Sequence, residues 1–128
     1  MKRVTSMILL AGILALSAAP QSYGHHSFAM FDQTKQVTIE GVVKEFQFTN
    51  PHSWIQLTVV PGKGAEPELW LIEALSPNVL MRSGWKRNTL KPGDKISVLI
   101  NPLRDGKKGG NLILVTLADG TTLGGGAA

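Results

Sequence analysis

Histidine is the side chain in this sequence best equipped for chemistry, and there are three of them: His25, His26 and His52. Imidazole is the commonest metal-ligand side chain and titrates closest to neutrality. Cysteine is absent, which excludes thiolate zinc sites, thiol redox chemistry and haem attachment through C-x-x-C-H. Ser27 and Ser53 adjoin histidines in the chain, but sequence neighbours do not make a nucleophile–base pair, and no G-x-S-x-G elbow is present. The residue types point to ligation rather than catalysis, so no enzyme is expected.

What His25 can do depends on where the functional chain begins. Lys2 and Arg3 precede an uncharged run from Val4 to Ala19, then Pro20 and the polar Gln21-Ser22-Tyr23-Gly24. That is the charged, apolar and cleavage-region order of a secretory signal. The run is shorter than the roughly 20 apolar residues that span a bilayer, and Pro20 would end a helix there. No membrane anchor is therefore expected after cleavage. Ser22 and Gly24 are the small residues that a signal peptidase requires, which places the cut before His25. Cleavage after Ala19 is the competitor, but it would leave Pro20 at the scissile bond.

With residues 1–24 removed, His25 supplies an α-amine as well as an imidazole. An α-amine has a pKa of about 8, so a metal can displace its proton at neutral pH. Amine, first imidazole and a further imidazole form a nitrogen-rich set that suits Cu(II). This arrangement resembles the histidine brace of some copper proteins, whose surrounding sequences are unrelated. His26 or His52 would complete the set. Zinc fits less well, because cysteine is lacking and no fourth ligand is evident. Asp32 and Glu73 are the carboxylates placed to orient a ligating ring from behind. The plainer interpretation is that His25 and His26 are solvent-exposed and that His52, after Pro51, serves a turn.

A fold must bring these residues together. From Val37 onward, β-type runs alternate with turn signals. Val37 to Thr49 changes parity just after Gly41, which predicts a bulge that lets one long strand serve two sheets. Trp54 to Val60 alternates Ile55, Leu57 and Val59 inward with Trp54, Gln56 and Thr58 outward, and His52 shares the outward parity. Glu68 to Leu75 is the third run, with Glu73 near its end. Ser76-Pro77 opens a short helix that Gly84 stops. Lys95 to Ile100 and Leu112 to Leu117 are the last strands, with Asp105-Gly106 and Gly109-Gly110 read as the turn between them. Three strands, a helix and two strands is the order of an OB-fold-like Greek-key barrel, a mainly β domain. The expected organisation is a signal at 1–24, an N-terminal segment at 25–36, the barrel at 37–119 and a disordered tail at 120–128.

The strings HHSFAMFD (His25 to Asp32), TNPHSW (Thr49 to Trp54), SGWKRNTLKPGDKI (Ser83 to Ile96), RDG (Arg104 to Gly106) and VTLADG (Val115 to Gly120) resemble a family of exported bacterial domains of unknown function. The resemblance implies a periplasmic location and carries over no catalytic residue.

Charge narrows the partners. The chain carries a formal +4, and loss of Lys2 and Arg3 with the signal lowers it to +2. Lys86-Arg87, Arg104 and Lys107-Lys108 fall in turns, and Trp70 reads as core, so no nucleic-acid partner is expected. Two functions from different classes remain. One is an exported copper-binding protein using His25, His26 and His52. The other is a module that holds a small ligand or an envelope protein on the barrel face around Asn50 and Trp54.

Overall fold

A computed structural model of the chain describes residues 28–126. The expected signal segment and His25, His26 and Ser27 lie outside the described residues. The elements are a single 3-10 turn η1 (Phe28–Met30), β1 (Val37–Gln47), β2 (Ser53–Val59), β3 (Glu68–Ala74), α1 (Pro77–Arg82), β4 (Lys95–Pro102), β5 (Gly109–Thr116) and β6 (Thr122–Gly124). The sheet order is β3-β2-β1-β4-β5-β6, and a further β3–β5 pairing closes the first five strands into a barrel. All pairings are antiparallel except β3–β5, which is parallel. The short helix lies between the third and fourth strands, as the element order predicts.

β1 is the shared strand. Its first half pairs with β4 and its second with β2, and Val42 faces Lys95 on one side and Thr58 on the other. The bulge comes at Lys44, between Val43 and Glu45, three positions beyond Gly41. Gly41 matters for a different reason: a Cβ there would stand 2.5 Å from Thr58 O, so only glycine lets the strands approach where β1 changes partner.

Inward residues of the alternating strands, Val43, Ile55, Leu57, Ile72, Val98, Ile100 and Val115, form the core. α1 adds Leu80, and the loop after it adds Trp85 and Leu90. Pro77 occupies the first helical turn, while the Ser76 side chain makes no capping bond. Gly84, at φ 90°, ends the helix. Gly84 N–H donates to Met81 O and Trp85 N–H to Leu80 O, the paired bonds of a Schellman ending. Trp85, rather than the half-buried Trp70, is the core tryptophan. Its ring packs 5.6 Å from that of Phe46.

Two expectations are corrected. Gly109-Gly110 is not turn but the start of β5, because Cβ atoms there would meet Leu71 O at 2.6 Å and Asn101 O at 2.4 Å. The chain needs bare backbone where β5 is squeezed between β3 and β4. The tail also does not become disordered at residue 120. β3 covers β5 only through Asn111, and β6 takes the open edge beyond it by pairing Leu114–Gly124, Val115–Leu123 and Thr116–Thr122. Satisfying an exposed strand edge outweighs the flexibility of a glycine-rich sequence. No helix among the described residues is long and apolar enough to cross a membrane.

Candidate functional site: a histidine–carboxylate pair at the β2–β3 end

His52 ends the β1–β2 loop. Asn50–Pro51 is a cis peptide, Thr49 Oγ1 donates to the His52 carbonyl at 3.2 Å, and Ser53 N–H donates to Leu75 O at 3.2 Å. These contacts hold the last loop residue against the end of β3. The β2–β3 register then sets Trp54 opposite Glu73. His52 Nδ1 lies 3.1 Å from Glu73 Oε1, with the two side chains 24% and 6% exposed. That separation is within hydrogen-bond reach, although the ring N–H does not point along the N–O line.

Glu73 has the parity of the outer face and is nonetheless buried. Its parallel neighbour on β5 is Asn111, also buried. Glu73 Oε2 and Ser53 Oγ are buried and have no hydrogen-bond partner among the described residues. Glu73 is therefore a carboxylate held in a protected place with one oxygen directed to an imidazole. A carboxylate that accepted from this ring's N–H would fix its tautomer.

The other expected positions separate from this pair. The Asp32 carboxylate serves its own turn, accepting from Thr34 N–H at 3.1 Å and Thr34 Oγ1 at 2.6 Å and lying 3.2 Å from Lys35 Nζ. The Thr34 hydroxyl bond, with Lys35 beside it, holds this carboxyl below its ordinary value. Asn50 is exposed on the loop. Trp54 is half-buried and lines a shallow outer groove with Gln47, Gln56 and Leu71. Three of the basic turn residues have local partners: Arg104 donates from Nε to Ala29 O, Lys107 pairs with Asp105 and Lys108 with Glu68.

Among the described residues no group of three His, Cys, Asp or Glu side chains is placed to hold a metal ion. Among the described residues His52 is the one histidine. Of the residues singled out in the sequence, the structure brings His52 and Glu73 together; the buried polar neighbours Asn111 and Ser53 were not among the expected site residues. The signal for Asn111 was the glycine pair before it, read as a turn.

No curated protein and no solved structure matches the chain. Residues 13–112 match a family of unknown function, DUF6152, and the chain belongs to that family.

Proposed function

We propose that this protein is an exported, periplasmic metal-binding protein that takes copper through His25, His26 and His52. The single observation behind this reading is the 3.1 Å approach of His52 Nδ1 to the buried Glu73 carboxylate. A carboxylate behind Nδ1 favours coordination through Nε2 and raises the basicity of the ligand. A signal cut after Gly24 would add the α-amine and ring of His25, and three nitrogens in a plane suit Cu(II). In this reading the domain sequesters or delivers the ion, and the barrel is the rigid frame for His52.

The test begins with intact mass and N-terminal sequencing of protein recovered from the periplasm. The expected first residue is His25. Titration with Cu(II) should then give a tight one-to-one complex, weakened at least 100-fold by His25→Ala. A mature N-terminus at Pro20 or Gln21, or binding no tighter than that of an arbitrary peptide, defeats the reading.

One observation favours a second reading. Val42, Leu69 and Leu71 stand exposed on the outer face of β1–β3, with Leu71 beside Trp54. A face of this kind suits a small apolar ligand or an envelope protein, and such a partner would bind the same with or without copper.

A further inference from the structure

The first half of β1 has an edge that no described strand covers. The β1–β2 ladder begins at Val42–Thr58, whereas β1 itself begins at Val37. Val60 would be the next residue to face Glu40, but β2 ends at Val59 and Pro61 follows. A proline there has no N–H to give to a ladder, so β2 cannot run on along β1. Val60 is left exposed, and an open groove lies between it and Glu40 and Gly41.

Backbone parity says which groups are left over. Val43 N–H donates to Asp94 O, and Val43 O accepts from Gly93 N–H, so both backbone groups of Val43 turn toward the β4 side. Along an antiparallel strand, alternate residues turn to alternate sides. Gly41, Ile39 and Val37 therefore bond to Ile96, Val98 and Ile100 of β4, their partners in register. Thr38 and Glu40 turn their N–H and C=O groups to the side that β2 has left, and no described strand pairs with them there. An uncovered edge of this kind is a template for another strand.

We infer that this edge pairs with its own copy: two molecules join β1 to β1, antiparallel, about a two-fold axis at Ile39. The uncovered edge runs from Val37 to Gly41, because Val42 already pairs with Thr58 on that side. Centring at Ile39 uses all five of those positions in both copies. Thr38 then lies opposite Glu40 of the second copy, and each such pair exchanges two N–H···O bonds. Val37 lies opposite Gly41 of the second copy, so a side chain stands where the facing strand has none. A two-fold at Glu40 would instead set Glu40 against Glu40, a like-charge pair that opposes association. A two-fold at Thr38 would run past the start of β1 at Val37. The patch is thus complementary to itself, as a two-fold dimer requires. It is also small, so self-association is expected at about 0.1–1 mM rather than as a permanent dimer. Nothing in this pairing depends on copper.

Sedimentation equilibrium of the isolated protein at up to about 1 mM reads the association, and amide exchange followed by NMR reads the edge. The expected result is a monomer–dimer equilibrium in which the Thr38 and Glu40 amides exchange about fivefold more slowly at the high concentration. The amides of Ile39 and Gly41, bonded to β4, should not change. Thr38 is exposed, so substitutions there spare the fold. Thr38→Lys sets a cation opposite Glu40 at both ends of the pairing and should tighten the dimer about 2–30-fold, whereas Thr38→Glu should weaken it by a similar factor. A protein that stays monomeric at about 1 mM overturns the inference. So does a dimer whose Thr38 and Glu40 amides exchange as fast as in the monomer, since another face would then be joined. Two Thr38 variants that shift the equilibrium in the same direction rule out the pairing centred at Ile39. A monomer whose two amides slow only when a different envelope protein is added gives the edge to that partner and likewise overturns it.

Discussion

Glu73 is the residue on which the interior chemistry turns, and removing its partner tests how much of that is structural. His52→Ala leaves a buried carboxylate without the imidazole 3.1 Å away and should cost about 1–3 kcal/mol in urea unfolding. Replacing both, as His52→Ala with Glu73→Met, should recover most of that loss, because an apolar pair leaves nothing buried unsatisfied. A neutral single variant would show that the pair carries no stability. At the surface, Asp32, Glu68 and Asp119 all have carboxyls held below their ordinary values. The Thr34 hydroxyl is the main cause for Asp32, Lys108 for Glu68 and the Thr121 amide for Asp119. Each favours the folded state when ionised, so its contribution is complete above the ordinary values of 3.8 for the aspartates and 4.5 for Glu68. It is lost as pH falls from there through the lowered folded values. Unfolding free energy should therefore decline below about pH 4.5, and Asp32→Asn with Asp119→Asn should flatten the part of that slope below 3.8.

At the scale of elements, β6 and α1 close what the five strands leave open. Trp85 Nε1 donates to Gly124 O at 2.7 Å, and Gly125 N–H donates to Ile113 O. A Cβ at Gly125 would lie 2.2 Å from Leu112 O. Gly125→Ala should therefore lower stability by about 1–3 kcal/mol and shift Trp85 fluorescence to the red. Leu80, wholly buried, is the apolar anchor of α1, and Leu80→Ala should cost about 2–5 kcal/mol; calorimetry reads both.

The tail was illegible for a physical reason. Thr122-Leu123-Gly124 is too short to read as a strand by itself, and the open edge of β5 and the Trp85 indole order it. The glycines at 109 and 110 misled for a related reason, since a crowded strand and a tight turn both demand a missing Cβ. Strong alternation made β2 plain, and with it the outward parity of His52. Glu73 could be placed near the end of β3, but its burial depends on Asn111 and on a parallel pairing that local pattern does not encode.

As a whole molecule the domain is a closed barrel with one well-protected polar corner and an apolar outer face. Leu69 and Leu71 are 45% and 46% exposed on that face. Leu69→Lys with Leu71→Lys should move the unfolding free energy by no more than about 0.5 kcal/mol per site, and a larger loss in thermal melts would mean the face is covered. The same variant separates the two functional readings, since copper binding should survive it and apolar docking should not. The barrel also has an uneven circumference. β3 and β5 are joined only through Leu71–Gly109, Ile72–Gly110 and Glu73–Asn111, the shortest closure among the five barrel strands. Deuterium should therefore enter these amides before those of the β2–β3 and β1–β4 ladders. Glu73 sits on that seam, so whatever occupies its neighbourhood would announce itself as slowed exchange along one narrow line of the cylinder.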